Sequence, residues 1–219
     1  MITLNTFLAA IRKNAERITT YSKGCDGTGG KCDCVGLIIG ALRLAGVTYK
    51  GTHGSNYFAR SYTENLKRIV NVSQLSQGDL VYKASSPGEA NYNLPSGYRS
   101  GSDLRDYYHI GVVLTTDPLC IAHCSTGGMN YDSKLGKWSY FGECKGVDYA
   151  ATEDAALSGE ASVDVPNDGT VRVRKIPGGT IVTTLREGDK VTVLDDNGTW
   201  AKVQFTTEGY IMSKFLRPL

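Results

Sequence analysis

Apolar residues recur at helical spacing in two segments near the N-terminus. Residues 1–20 place their apolar side chains on one face and predict an amphipathic helix. Residues 34–46 are apolar on nearly all sides, which is typical of a buried central helix. This second helix follows a glycine-rich loop and ends at Gly46, a residue that suits the left-handed position after a helix.

Shorter apolar runs follow and predict strands. Residues 109–114 and 119–124 flank a short segment that contains a proline, so they predict a β-hairpin. Residues 60–68 keep a near-helical spacing and predict a short helix. Residues 83–107 are a long insertion rich in Ser, Gly, Pro and Tyr, and an insertion of this length inside a domain indicates a functional or disordered loop.

The pattern changes after residue 150. Residues 151–168 are small and acidic and contain no aromatic residue, which indicates a linker. Residues 169–219 consist of short β runs at even spacing, punctuated by Gly, Pro, Asp and Asn, and predict a small all-β barrel. The sequence therefore predicts a domain at 1–150, a linker at 151–168 and a second domain at 169–219.

Charge and hydropathy narrow the possible partners. The formal net charge of +2 is too small to indicate nucleic-acid binding. The N-terminal segment has no basic stretch before a long apolar run, so no signal peptide is expected, and no segment has the length of a membrane span. We therefore expect synthesis in the cytoplasm.

Six cysteines must be explained in that compartment, and their positions are 25, 32, 34, 120, 124 and 144. Their spacing does not match the usual Cys-x2-Cys zinc ligands, so we expect neither a metal nor another cofactor. Disulfides are disfavoured in a reducing cytosol, although oxidation of Cys25 or Cys32 after release stays open. The cysteines other than Cys34 are expected to be free, partly buried thiols.

Cys34 is the candidate nucleophile because it stands at the start of the second helix. Unpaired backbone N–H groups and the positive end of the helix dipole favour a thiolate there. Gly36, in the first turn, allows another group to approach closely.

Two of the three histidines suit the role of a catalytic base and its orienting partner. His109 and His123 fall on the two strands of the predicted hairpin, where cross-strand side chains reach hydrogen-bonding distance. His53 lies in a polar loop and is expected to be exposed. The alternative for the hairpin pair is two half-buried histidines bonded to backbone groups. The presence of Cys34 favours catalysis.

Four short segments resemble motifs of the NlpC/P60 cell-wall cysteine peptidases, which have a papain-like α+β fold. Residues 33–37, Asp-Cys-Val-Gly-Leu, are similar to the family's Asp-Cys-Ser-Gly-Leu, with Val35 in place of the serine. The other three are Gln77–Val81, His109–Val112 and Ile121–Ser125, in the family's order. The resemblance implies that Cys34, His109 and His123 are catalytic. It also implies that Tyr21, Asp33 and Gly36 contribute to a substrate or oxyanion pocket.

Residues 169–219 resemble a bacterial SH3-type domain. Val171–Arg174, Gly198–Val203 and Gly209–Ile211 are similar to its Asn-Val-Arg, Gly-Trp-x-Lys-Val and Gly-Trp-Val segments. The fold class expected from both resemblances is an α+β papain-like (NlpC/P60) catalytic domain followed by a small all-β SH3-like barrel.

The function that the resemblance implies is peptidoglycan hydrolysis by a monomeric, bacteriolytic thiol protease. A γ-D-glutamyl-diamino-acid endopeptidase is expected first, and an N-acetylmuramoyl-L-alanine amidase is the alternative within the same chemistry. The layout resembles a phage or prophage endolysin, which reaches the wall after holin-type release or lysis. Two other classes stay open: a non-enzymatic wall-binding protein, and an acyltransferase, which would need an apolar acyl tunnel.

Overall fold

The structure is a computed structural model that describes residues 1–149, 159–165, 169–196, 200–205 and 208–218. Residue contacts divide the chain into two compact units, Met1–Ala151 and Thr152–Leu219. Two parts of the sequence interpretation lie outside the described residues. They are most of the predicted linker, at 151–158 and 166–168, and the Gly198-Thr199 pair of the SH3-like motif.

Two helices dominate the helical part of the first unit. Helix α1 (Leu4–Arg17) begins after Thr3, whose side chain accepts a hydrogen bond from the Thr6 amide at 3.2 Å. Helix α2 (Cys34–Leu44) is followed by Gly46 at φ +81°, as its sequence predicts. Among the described residues, no helix is both long enough and apolar enough to cross a bilayer. The shorter helical segments of this unit are α3 (Ser55–Tyr57), the π-helix Phe58–Tyr62 and the 3₁₀ turns Thr28–Gly30, Val72–Gln74 and Ser96–Tyr98, while the second unit contains the 3₁₀ turn Ser213–Phe215.

The strands of the first unit form one large antiparallel sheet and two small parallel pairs. The large sheet has the order β4-β9-β5-β6-β7-β8, while β1 pairs with β10 and β2 with β3. The strands are β1 (Ile2–Thr3), β2 (Thr20–Tyr21), β3 (Lys31–Cys32), β4 (Thr63–Arg68), β5 (Leu80–Ser85), β6 (Asp106–Thr116), β7 (Leu119–Ser125), β8 (Gly128–Asp132), β9 (Trp138–Cys144) and β10 (Val147–Asp148).

The predicted hairpin is confirmed as β6 and β7, which pair in antiparallel register. The short helix predicted at 60–68 is wrong, because the chain leaves the π-helix at Tyr62 and continues as the edge strand β4. A bulge between Glu64 and Lys67 interrupts the pairing of β4 with β9. A bulge adds a residue to one strand and so breaks the two-residue alternation of its side chains. The apolar residues of β4 therefore recur at a spacing close to that of a helix.

Helix α2 is the buried centre of the first unit. It packs against α1 on one side and against β6 and β7 on the other. Gly36 allows the glycine-rich loop to lie against the first turn of α2, because a Cβ atom there would overlap with the carbonyl oxygen of Cys25. The buried Asn14 of α1 donates hydrogen bonds to the carbonyl oxygens of Leu37 at 2.9 Å and Asp26 at 3.0 Å, which ties the two helices and the glycine-rich loop together.

The second unit is a single antiparallel sheet with the order β13-β12-β16-β15-β14-β11-β17. Its core consists mainly of valines that alternate with exposed residues along the strands. Strand β11 lies within the segment that the sequence assigns to the linker. The strands are β11 (Gly159–Val163), β12 (Thr170–Arg174), β13 (Ile181–Arg186), β14 (Lys190–Asp196), β15 (Trp200–Gln204), β16 (Glu208–Met212) and β17 (Leu216–Pro218).

These elements correct the expected fold class. An α+β papain-like (NlpC/P60) domain followed by a small all-β SH3-like barrel is wrong, because the described chain is mostly β, with 42% strand and 23% helix. Its two large sheets are antiparallel, with six strands in the first unit and seven in the second. The expectation rested on a few short motifs, and these motifs say little about the half-exposed strands that lie between them.

Candidate active site

Asp33 sets the geometry at the start of α2. It is the N-cap residue, and its carboxylate accepts hydrogen bonds from the amides of Gly36 at 2.8 Å and Gly24 at 2.6 Å. Asp33 therefore fixes both the first turn of α2 and the preceding loop, with Cys34 as the first helical residue. The Gly36 amide is engaged by this cap, and Gly36 packs against the chain's own Cys25 carbonyl.

Burial dominates the electrostatics of Cys34. Desolvation and the neighbouring Asp33 carboxylate raise the pKa of its thiol to about 12, while hydrogen bonds from the backbone amides of Ile110 and Val35 oppose the rise. The expectation that the helix N-terminus alone favours a thiolate is therefore wrong. At neutral pH Cys34 is a thiol, so it needs a base to become a nucleophile.

The structure brings His109 and His123 together. His109 Nε2 lies 3.0 Å from His123 Nδ1 across the β6–β7 hairpin, and the two rings meet edge to face. His109 directly precedes Ile110, whose amide points at the Cys34 sulfur. The arrangement thus places His109, one member of a hydrogen-bonded imidazole pair, next to the residue whose amide bonds to the thiol.

Both imidazoles are neutral at physiological pH. Burial, His123 and the Lys83 ammonium lower the pKa of His109 to about 4. Burial is also the main cause that lowers the pKa of His123, with Lys83 as a further one and Asp132 as an opposing one. A neutral His109 can accept a proton, which is what a general base for the Cys34 thiol requires.

His53 contributes to the site in a way that the sequence does not reveal. It is exposed, as expected, but its Nε2 lies 2.9 and 2.8 Å from the two carboxylate oxygens of Asp33. The hydrogen bond with His53 and those from the backbone amides of Gly24 and Gly36 lower the pKa of Asp33 despite its burial. A lone loop histidine carries no sequence signal for this contact, since the contact depends on how residues 50–54 fold over the start of α2.

Cys34 opens onto a cleft of about 810 Å³. Tyr21, at 38% exposure, lines this cleft, and partial burial and the neighbouring Cys34 raise the pKa of its phenol, so the hydroxyl stays a hydrogen-bond donor. Lys23, Asp33 and His53 also line the cleft. The lining from the 83–107 insertion and the strand after it comprises Asn91, Asn93, Pro95, Tyr98, Asp106 and Tyr108.

The insertion at residues 83–107 forms one wall of the cleft and is held in place by hydrogen bonds. The buried Asp106 accepts hydrogen bonds from the Asn56 side chain at 2.7 Å and from the Asn93 amide at 2.9 Å, so it closes the insertion onto α3. Arg60 adds hydrogen bonds to the carbonyl oxygens of Asp103 and Arg105 and stacks over the Tyr98 ring at 4.7 Å.

We expect Asp106→Asn to weaken substrate binding, with KM raised about tenfold and unfolding free energy lowered by about 1–3 kcal/mol. The Asp106 carboxylate accepts hydrogen bonds from two donors, the Asn56 side-chain NH₂ and the Asn93 backbone amide. The Asn56 side chain cannot turn its oxygen toward residue 106, because that oxygen already accepts hydrogen bonds from Arg60 and from the Tyr107 amide. The side-chain NH₂ of an asparagine at position 106 would therefore face another donor. Steady-state kinetics and urea unfolding check this, with Asp117→Asn in the exposed hairpin turn as the control. Unchanged KM and stability would contradict it.

All six cysteines are free in the structure. Cys32 and Cys124 are buried beside one another below the start of α2, where the Cys124 thiol donates to the Cys32 carbonyl oxygen at 3.3 Å. Cys25 is partly exposed and lies near Ser22.

Comparison with known proteins identifies one part of the chain. Residues 169–217 match the family model of the bacterial SH3 domain, so the C-terminal unit contains such a domain. A search of curated protein sequences finds no significant match to the chain.

Among solved structures, the chain is similar to Ly7917, with 17% identity, a TM-score of 0.36 and coverage of 96% of this chain and 92% of that one. A second structure, of Ly7917 with the hydrolyzing product of MDP, gives 19% identity, a TM-score of 0.33 and the same coverage. NlpC2 from Trichomonas vaginalis gives 12% identity and a TM-score of 0.25 over 73% of this chain and 49% of that one. TM-scores this low do not define the fold of the first unit.

Proposed function

We propose that this protein is a peptidoglycan hydrolase that cleaves an amide bond of the stem peptide with Cys34 as its nucleophile. The observation that carries the proposal is the position of Cys34. It lies in an open cleft, against the strand whose His109 is hydrogen-bonded to His123. A thiol, a neutral imidazole and a second group that orients that imidazole are the parts that acyl transfer requires.

The chemistry starts from neutral groups. The Cys34 thiol gives its proton to His109 as its sulfur bonds to the carbonyl carbon, and the carbonyl π electrons move to the oxygen. When this oxyanion collapses, the C–N bond breaks and His109 returns the proton to the leaving nitrogen. Water then attacks the thioester with His109 as base, which releases the carboxylic acid and restores the thiol. The Cys34 amide and the Tyr21 hydroxyl are the proposed oxyanion donors.

The cleft supports a polar substrate of peptide length. Asp33 with His53, and Lys23, put charges of both signs beside Cys34, while asparagines and tyrosines of the insertion form the opposite wall. The described residues that line this cleft do not form the apolar tunnel that an acyltransferase needs. These polar groups are suited to stem-peptide carboxylates, amides and amines.

The bacterial SH3 domain at residues 169–217 supports the proposal that the substrate is part of the bacterial cell wall. Held to the wall by this domain, the catalytic unit would meet stem peptides at a high effective concentration. We therefore propose an endolysin-like division of labour, with a γ-D-glutamyl-diamino-acid endopeptidase in the first unit, as the motif resemblance to NlpC/P60 peptidases suggests.

Digestion of purified cell wall tests the proposal directly. We expect mass spectrometry of the soluble products to show stem-peptide fragments with a new amino terminus at the diamino acid. Release of whole stem peptides from the glycan would instead identify an amidase. Wall binding without any new amino group would contradict hydrolysis and favour a non-enzymatic binding protein.

A further inference from the structure

The Nε2 side of the His123 ring has no role in the sequence prediction. His123 is 5% exposed, and its Nε2 atom has no hydrogen-bond partner of good geometry among the described residues. The atom is nevertheless not isolated, because the Asp132 carboxylate at the end of β8 lies 3.3 Å away through Oδ2. A buried ring nitrogen faced by a carboxylate indicates a function for that carboxylate.

Asp132 is itself held in place by two side chains from different strands. The indole Nε1 of Trp138 donates to Asp132 Oδ2 at 2.9 Å, and Lys83 Nζ lies 3.6 Å from the same oxygen. Lys83 also sits over the Trp138 ring at 4.3 Å. The carboxylate therefore has a fixed position at the edge of the sheet, even though it is partly exposed.

The Trp138 ring links this carboxylate to both histidines. It stacks on His109, with ring centroids 5.5 Å apart and an interplanar angle of 30°, and it meets His123 edge to face at 5.3 Å. Lys83 stands directly opposite His109 in the pairing of β5 with β6. Trp138, Asp132 and Lys83 thus form one cluster that packs on the imidazole pair.

The tautomers of the two histidines follow from these contacts. A carboxylate accepts hydrogen bonds, so Asp132 favours the proton of His123 on Nε2. His123 Nδ1 then carries a lone pair, which accepts the proton of His109 Nε2 at 3.0 Å. This leaves Nδ1 of His109 unprotonated, and it is therefore the atom that can receive the Cys34 proton.

We propose that Asp132, held by Trp138 and Lys83, is a positioning residue that selects the tautomer in which His109 Nδ1 is the base. The inference deepens the proposed cysteine hydrolysis and rests on it. Asp132 touches neither substrate nor the sulfur; it acts through His123. Its negative charge also offsets Lys83 when His109 becomes an imidazolium.

The first test uses Asp132→Asn in the full chain. The amide has one acceptor oxygen, for which Trp138 Nε1 and His123 Nε2 compete, so the tautomer preference is weakened. We expect kcat to fall about 10- to 100-fold with KM nearly unchanged, a smaller loss than when a directly bonded orienter is removed. Asp132→Glu is expected to recover part of the activity, and Glu143→Gln on β9 is the matched control with unchanged kcat.

The pH profile distinguishes this role from a merely structural one. The charged groups that face the imidazole pair are Lys83 on β5, Asp132 on β8 and Asp33 at the start of α2. Loss of the Asp132 charge should shift the acid limb of kcat/KM to lower pH. Loss of the opposing charge in Lys83→Met should shift the same limb to higher pH. Acid limbs that do not move in either variant would overturn the proposal.

A measurement without substrate separates this inference from the proposed function. The chain has three histidines, so ¹⁵N imidazole spectra of the full-length protein are simple to assign with single substitutions. We expect a protonated Nε2 and an unprotonated Nδ1 in His123 of the wild type, and a mixture in Asp132→Asn. A proton on His123 Nδ1 in the wild type would refute the tautomer assignment whether or not the protein hydrolyses cell wall. If Asp132→Asn does not fold, the ¹⁵N spectrum of the wild type and the pH profile of Lys83→Met still test the proposal.

Discussion

Replacing Cys34 with alanine is expected to abolish wall hydrolysis while leaving wall binding intact. The substitution removes the only protein atom that bonds to the substrate carbon in the proposed mechanism, so the loss should be on the order of 10⁴- to 10⁶-fold in kcat. Alanine suits the first turn of a helix and keeps the Asp33 cap, so the unit should fold normally. Turbidity loss of cell-wall suspensions measures hydrolysis, and co-sedimentation with the wall measures binding.

A matched thiol provides the control. Cys120, on β7, is partly exposed like Cys34 but lies outside the cleft lining, so Cys120→Ala should hydrolyse cell wall at the wild-type rate. Equal hydrolysis by Cys34→Ala and the wild type would end the case for covalent catalysis. Loss of both hydrolysis and binding in Cys34→Ala, with normal folding, would mean that the thiol holds the wall rather than cleaving it.

The second large effect is expected at His109. His109→Gln keeps a polar side chain but removes the base, and with the pKa of the Cys34 thiol at about 12 no other group in the mechanism takes its proton. We expect kcat/KM on a soluble stem peptide to fall on the order of 10³- to 10⁴-fold. A soluble substrate is the right probe, because it removes any contribution from wall binding by the second unit.

The pH profile of the wild type tests the same assignment. A histidine whose pKa is lowered to about 4 is in its base form at every higher pH, so activity should be present above that value and lost as pH falls through about 4. The profile of kcat/KM on the soluble peptide should therefore be nearly flat from pH 6 to 8, a range in which an ordinary histidine titrates. A steep loss of activity between pH 7 and 6 would show that His109 is not held neutral by burial.

The parts of the site that were predictable from sequence depend on short-range pattern. The run from Cys34 to Gly46 specifies a helix with a cap at each end, because capping depends on residues within one turn. The two apolar runs that carry His109 and His123 specify a hairpin, because alternation and a short connection settle strand pairing locally. These two predictions placed the three candidate catalytic residues.

Other features depend on contacts between distant residues. Asp132 carries no motif and becomes relevant only because β7 and β8 pair beside Trp138 of β9, while His53 meets Asp33 through a loop fold. The edge strand β4 reads as a helix because its bulge mimics helical spacing. The fold class was misjudged for a related reason: half-exposed strands such as β4 and β8 have a weak apolar signal of their own.

The amino-acid order by itself determined where the reactive groups stand on their own elements: a cysteine at the head of a buried helix and two histidines on the strands of one hairpin. Tertiary structure decided how those groups behave. It keeps Cys34 a thiol and His109 a neutral imidazole, because desolvation depends on the elements packed around a group and not on its neighbours in sequence. It also supplied Asp132, Trp138 and Lys83 behind the histidines, since such a cluster exists only once the strands of the sheet lie side by side.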